Sequence, residues 1–331
     1  MAALSLPLAL LLGAANAGEA VPDPEVTVVV VGDIRLDGPV ARLVAEDGPA
    51  APVAAVREAL RGDILLGNLE EPLTTRGEPA KKKFIFRGRP AAAKVLKACG
   101  FDVLGLANNH VMDYGPDGLT DTLAALDKAG LGRLGAGKDA AEARKPLILE
   151  RNGLKVGLLA LTSTFPEENW ARKDRPGVAF SALERVSGWV RDAKALCDVL
   201  VVSFHGGTEL AAEPNEVQRA FARAAAAGGA DAVIGHHPHV VQAAELIGRT
   251  LVIHSVGNFM FESPTAGTEK SLIARLTLSR SGVRAELVPI DTEGGRPKPV
   301  TPSQRSEIRA LLDALGALSA DPERIRLQEA P

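Results

Sequence analysis

The six histidines of this chain are confined to four short segments. These are Ala107-Asn108-Asn109-His110, Phe204-His205-Gly206-Gly207, Gly235-His236-His237-Pro238-His239 and His254-Ser255-Val256-Gly257-Asn258, and nearly all directly follow an apolar run. Two further runs end in acids: Val28 to Gly32 leads to Asp33, and Ile64 to Gly67 leads to Asn68-Leu69-Glu70. Strand-like runs thus deliver imidazole, carboxylate and amide groups at or near their C-terminal ends. In open α/β sheets that edge is where sites are built. The donor mix suits Zn, Mn or Fe better than Ca, so a metal-centred site is the leading expectation.

The runs that must position these groups alternate with helices in the first half of the chain. Glu25 to Gly32 is almost purely valine, as a strand buried on both faces requires, and Asp63 to Gly67 and Phe101 to Leu106 read as further core strands. Helices are expected over Ala54 to Leu60, Pro90 to Ala98, Leu119 to Ala129, Ser181 to Leu196, Glu216 to Ala227 and Gln304 to Leu315, with a short strand at Phe84 to Arg87. Asn152-Gly153 between Leu147–Glu150 and Leu154–Leu161 is a hairpin signal. Val199 to Phe204 and Ala232 to Gly235 read as strands, and Ala243 to Val256 and Leu272 to Pro289 as strands joined by turns without helices. Helix-linked strands first and hairpins later point to two packed sheets with outer helices. Thr162 to Val178 is irregular and could form a loop over the site.

The chain has 331 residues, 46% apolar and 24% charged, enough for a sizeable core. Its net charge of −3 lacks the basic footprint of a nucleic-acid binder. The longest basic run, Lys81-Lys82-Lys83, reads as lysines guarding a strand edge, with an anion contact as the other reading. At the N-terminus, Leu4 to Leu12 followed by Ala15-Asn16-Ala17 reads as an export signal cleaved after Ala17. The run is too short for a stable transmembrane anchor, and the expected location is periplasmic or otherwise extracytoplasmic. Cys99 and Cys197 read as two free buried thiols. Two phosphate-loop lookalikes, Gly130 to Gly135 and Gly132 to Lys138, follow an expected helix rather than a strand, so a helix cap and a short strand explain them.

In order, Val31-Gly32-Asp33, Asn68-Leu69-Glu70, Ala107 to His110 with Asp113-Tyr114-Gly115, His205 to Glu209, His237-Pro238-His239-Val240-Val241-Gln242 and Ser255 to Phe259 resemble the CapA/PgsA family of capsule-synthesis proteins. That family has the calcineurin-like metallophosphoesterase fold. The resemblance implies a four-layer α/β/β/α sandwich over about residues 25–295, followed by a helical tail at 296–331. It implies one or two divalent metals held by Asp33, Glu70, Asn109, His205, His237 and His239, with Asp33 as the bridging carboxylate. His110 matches the general acid, and Asp113 could orient it. Arg35, Glu209 and Asn258 are the expected substrate contacts, Glu209 with the alternative of steering His205.

One departure stands out. The wider superfamily opens with Asp-x-His, whereas here the third residue is Arg35. A guanidinium there could bind phosphate or carboxylate, or occupy part of the metal site. His236 reads as a support or bystander, His254 as a core histidine, Glu71, Asp63 and Asp37 as structural or solvated, and Arg87 as surface or anion-facing. The implied function is an exported metal-binding protein with a phosphoesterase-type hydrolase site. It would act with envelope polymer-synthesis proteins on an anionic polymer such as poly-γ-glutamate, or on a phosphoester. The alternative is a non-catalytic module that holds an anionic polymer.

Overall fold

Two sheets packed face to face, with helices on both outer surfaces, make up the computed structural model, which describes residues 23–314 and 323–328. The expected export signal lies outside the described residues. The larger sheet runs Lys298–Pro299, Gly282–Asp291, Lys270–Ser279, Val26–Ile34, Ile64–Leu69, Val103–Gly105 and Gly132–Leu134, with Ile325–Leu327 also pairing Gly282–Asp291. The smaller runs Ala244–Ile247, Thr250–Ile253, Ala232–His236, Val199–His205, Leu154–Thr162 and Leu147–Arg151. A two-stranded ribbon joins Ala136–Gly137 to Gly177–Val178.

Side-chain alternation explains the layers. Val28 and Val30 face the inter-sheet core with Val156, Leu158, Val201 and Ile234. Val29 and Val31, one residue over, face the helices Ala92–Ala98 and Gly115–Lys128 through Leu96, Leu119 and Leu126. On the second sheet, Leu159, Leu200 and Val202 meet Val186, Val190, Phe221 and Ala225 of the helices Leu183–Lys194 and Glu216–Gly228. Each central strand is apolar on both faces because each face is covered. The result is the α/β/β/α order.

Several local expectations are corrected. Ala54 to Leu60 is no α-helix: Pro52 opens a 3₁₀ turn over Ala51–Val56. The helix Gly38–Asp47, started by Gly38-Pro39, has no counterpart in the sequence reading. Phe84 to Arg87 is not a strand, because Phe86 turns inward to stack on His110 at 3.9 Å while Phe84 and Ile85 are exposed. The lysines before it therefore guard no strand edge. Residues beyond 295 do not stand apart as a tail, since Ile308 and Leu312 of the helix Pro302–Ala314 and Ile325 and Leu327 are buried in the inter-sheet core. The phosphate-loop lookalike is a Gly130 turn, φ 66°, followed by the strand Gly132–Leu134.

Candidate metal centre

Alternation also aims the site. Ile64 and Leu66 face the inter-sheet core, so Asn68 and Glu70 emerge on the same side at the strand end. Val199 and Val201 carry His205 there, and Ala232 and Ile234 carry His236. Continued alternation from Val28 and Val30 would turn Asp33 toward the helices. A register shift between Val30 and Asp33 reverses that, so Ile34 joins the helix-side cluster and Asp33 points between the sheets. A bulge that re-aims one side chain is a common device at sheet-edge sites. Gly32 is required beside it: an added Cβ would lie 2.0 Å from the carbonyl oxygen of Gly257.

Asp33, Glu70 and His205 are at most 1% exposed. Asn68 Nδ2 donates to Asp33 Oδ1 at 2.7 Å and lies 3.1 Å from His205 Nδ1. On the other side of the ring, His205 Nε2 lies 2.8 Å from Asn109 Oδ1. His205 Nε2 is also 3.3 Å from Glu70 Oε1. His239 Nδ1 faces two acceptors, Asn258 Oδ1 at 2.9 Å and Asp33 Oδ2 at 3.2 Å, so that nitrogen is the donor and Nε2 is left for a ligand. His237 and His239 both have positive φ, 97° and 60°. Such conformations are costly for non-glycine residues and are retained where the site needs them.

Two donor groups result. Glu70, His205 and His237 offer ligand atoms within 4.8 Å of one another, as do Asp33, Glu70 and His239. Glu70 belongs to both. Glu70 is thus the carboxylate common to both groups, while Asp33, the expected bridge, falls in the second, 3.2 Å from His239 Nδ1 and 3.9 Å from His205 Nδ1. The fit to a divalent metal rests on atoms of this chain. Both carboxylate oxygens of Glu70 and Nδ1 of His237 are buried without a hydrogen-bond partner. Such groups are rare unless something else satisfies them, and a cation would satisfy all three.

Burial is the largest influence on the site's protonation. It pushes His205 down to about 3, His236 down to about 4 and His237 well below its ordinary value. Burial, helped by the charge of Asp33, pushes Glu70 up to about 8. For Asp33 burial is outweighed by the hydrogen bond and charge of His239, which hold it below the usual carboxylate range. Burial is likewise outweighed at His239, raised to about 9 by Glu70 and Asp33.

Beside the donors, His110 Nδ1 meets Asp113 Oδ2 at 2.7 Å. The carboxylate accepts, so Nδ1 carries a proton and Nε2 is the nitrogen free to exchange one. Phe86 N donates to the same Asp113 oxygen at 2.8 Å. Lys82, which the sequence reading left among edge lysines, completes this corner. Its Nζ lies 2.5 Å from Asp113 Oδ1, 2.8 Å from the Asn109 carbonyl oxygen and 3.1 Å from His110 Nδ1. Asn68 was also missed as a contact; its position on the inward face two residues before Glu70 was the available signal.

Of the three expected substrate contacts, Arg35 and Asn258 are engaged within the fold, and Glu209 lines a cleft beside the donors. Arg35 does not occupy the metal position: its Nε pairs with Asp37 Oδ1 at 2.6 Å, and its guanidinium lies over Phe86 and Phe261 at 4.5 and 4.8 Å. Phe86 in turn stacks on His110 at 3.9 Å, and Phe261 lies tilted against His239 at 4.8 Å. Asn258 is fully buried and supports His239 rather than facing a cleft. Glu209 is exposed and does not steer His205, whose Nδ1 is taken by Asn68. It lines a cleft of about 420 Å³ with Asn109, Thr164, Phe165 and His237. His254 bonds Glu245 Oε1 through Nε2 at 2.6 Å, as a core histidine does, and Asp63 caps Thr27 N at 2.7 Å. His236 lies 3.6 Å from Asp33 Oδ1. Both cysteines are free.

The family model described as "Bacterial capsule synthesis protein PGA_cap" matches residues 27–263. A curated relative, the PGA biosynthesis protein CapA of Bacillus subtilis, is 34% identical over 297 residues, covering 87% of this chain and 78% of the relative. The capsule biosynthesis protein CapA of Bacillus anthracis is 32% identical, covering 84% and 70%. Among solved structures, a phosphatase from Mycoplasma pneumoniae superposes with a TM-score of 0.54 at 14% identity, covering 88% of this chain and 100% of that one. That likeness speaks to the fold.

Proposed function

The chain belongs to the bacterial capsule synthesis protein family, and from that premise we propose that it is an exported, metal-dependent hydrolase of the phosphoesterase type. Its role would be in the synthesis, export or anchoring of poly-γ-glutamate or a related anionic envelope polymer. The observation that carries this reading is the shared position of Glu70. It is one buried carboxylate with no hydrogen-bond partner, common to two ligand groups.

A divalent ion, Mn, Zn or Fe, would be held by Glu70, His205, His237 and Asn109, and a second by Asp33, Glu70 and His239. Such ions stabilise developing charge on a phosphoryl or carbonyl oxygen and generate a nucleophile near neutral pH. The chain's own residues supply the rest. Asp113 fixes the proton on His110 Nδ1, so Nε2 can deliver a proton to a leaving oxygen. Lys82 neutralises Asp113 from the far side and holds the carbonyl of Asn109, which keeps the Asn-His pair in register with His205. Burial keeps His205 and His237 neutral, the form that ligates.

Metal analysis of protein purified without chelator, paired with a screen of phosphodiesters and γ-glutamyl substrates, tests the reading. At least one divalent ion per chain and chelator-sensitive turnover are expected. Binding of metal and polymer without turnover would favour the non-catalytic module, and absence of metal would reject the site. Export predicts that protein from its native host begins at Gly18. A cytoplasmic protein beginning at Met1 would reject that part alone.

A further inference from the structure

Between Glu78 and Asp102 the chain carries no acid and seven basic residues, although its net charge is −3. The segment Lys81 to Arg87 within this stretch alternates in two ways. Lys82 and Phe86 turn inward and clamp the segment to Asp113 and His110. Lys81, Lys83 and Arg87 are exposed, and so are Phe84, at 55%, and Ile85, at 37%. None of the three exposed cations has an ion-pair partner among the described residues; Lys83 Nζ rests over the Phe84 ring at 4.9 Å, and the Arg87 guanidinium over Tyr114 at 4.6 Å. The tip thus presents adjacent aromatic and aliphatic side chains ringed by free positive charge, on a base held rigidly at two points.

We propose that the Lys81–Arg87 loop docks on an anionic lipid surface, with Phe84 and Ile85 entering the interface and Lys81, Lys83 and Arg87 meeting the headgroups. A soluble polyanion would use the charges and leave Phe84 and Ile85 without a role. A bilayer interface uses both, because aromatic side chains settle at headgroup depth and cations are drawn to anionic lipid. Among the described residues no helix is long and apolar enough to cross a membrane, and this contact is peripheral. Docking would place the metal centre directly behind the tip, since Lys82 and Phe86 join the two. The inference concerns binding and stands whether or not the site hydrolyses anything.

The test is co-sedimentation of the full chain with vesicles of phosphatidylcholine alone or with about one-third phosphatidylglycerol, backed by insertion into a monolayer of the same composition. Binding to the anionic vesicles only is expected, weakening as salt is raised. Each basic residue near such a surface is worth roughly a fivefold change in partition. Lys81→Ser with Lys83→Ser should therefore cost about 25-fold, and Phe84→Ser with Ile85→Ser should abolish monolayer insertion. Unchanged metal content in these variants separates a docking defect from damage to the site. Equal binding by wild type and both double variants would overturn the proposal. So would strong binding of soluble poly-γ-glutamate that the Phe84/Ile85 variant retains in full while vesicle binding is absent, which would make the loop a polymer track.

Discussion

Loading the metal-free protein should release protons from two named groups, and the number can be worked out. With Glu70 raised to about 8 and His239 to about 9, the first is about nine-tenths and the second almost wholly protonated at pH 7. Asp33 is already ionised, and His205, His236 and His237 are already neutral, so they contribute nothing. Ligation requires both Glu70 and His239 to lose their protons, giving about 1.9 at pH 7 and about 1.4 at pH 8. Ordinary values at Glu70 and the three ligand histidines would give roughly 0.7 and then almost none. Calorimetric titration with Mn²⁺ or Zn²⁺ in buffers of different ionisation enthalpy measures the release. Solvent on the ion can add protons, so the decisive quantity is the difference between wild type and Glu70→Gln. Glu70→Gln removes the Glu70 proton and also the carboxylate that raises His239, so release should fall by at least about 0.9 at pH 7; no difference would refute the argument from burial. The same shift has a stability sign. Folded Glu70 keeps its proton to about pH 8, while an unfolded one releases it near 4.5. Glu70 therefore contributes a loss of stability as pH rises through that window, while the three histidines held neutral contribute an opposing gain up to about pH 6.5. The metal-free fold should lose stability between about pH 7 and 8, and Glu70→Gln should flatten that slope in denaturant melts.

Asp33→Ala and His237→Ala should each lower metal content, whereas His110→Ala should leave metal bound and cut turnover by roughly 10²–10⁴-fold; metal loss in His110→Ala would contradict its placement outside both ligand groups. Lys82→Met, which keeps the stem and removes the charge, should retain metal and lower turnover by about 10–100-fold. Full activity would show that Asp113 needs no counter-charge. Gly235→Ala places a Cβ 1.9 Å from the His254 carbonyl oxygen, so unfolding free energy should fall by about 3 kcal/mol or more; a drop below about 1 kcal/mol would mean the strand pair can part at no great cost.

The layer order was legible because period-two burial on both faces leaves a direct imprint, as in Val28 to Val31 and Val199 to Val202. The segments that form the site were legible for the same reason: polar groups at the ends of apolar runs share one sheet edge. Three things were not. The register shift before Asp33 arises from pairing with Ile64–Leu69 and the approach of Gly257, neither of which is local in sequence. Which carboxylate the two groups share depends on strand order, and the strand ending near Glu70 lies between those ending at Ile34 and Gly105. The Phe84–Arg87 stretch has strand-like composition, but Phe86 is drawn inward by His110 and Arg35. A tertiary contact there overrides local propensity, and it carries Lys82 with it.

Arg35 decides how the two ligand groups should fill. It stands where the sequence reading looks for a histidine ligand, yet it neither replaces such a ligand nor blocks the place, because Asp37 and the rings of Phe86 and Phe261 hold it aside. One group then has three donors, Asp33, Glu70 and His239. The other has Glu70, His205 and His237, with the Asn109 amide 2.8 Å from His205 Nε2 as a fourth. Glu70 is common to both, so the second ion must share a carboxylate already partly neutralised and must approach a first cation across it. Both effects weaken the poorer group. Stepwise occupancy should follow, with the first ion held through Glu70, His205, His237 and Asn109 and the second binding at least tenfold more weakly, about 1.4 kcal/mol. His205→Ala should abolish the tight phase of a metal titration, whereas His239→Ala should remove the weak phase and leave the tight one. Simultaneous loss of both phases in His239→Ala would mean that the two groups form one cooperative site, and the division by donor count would be wrong.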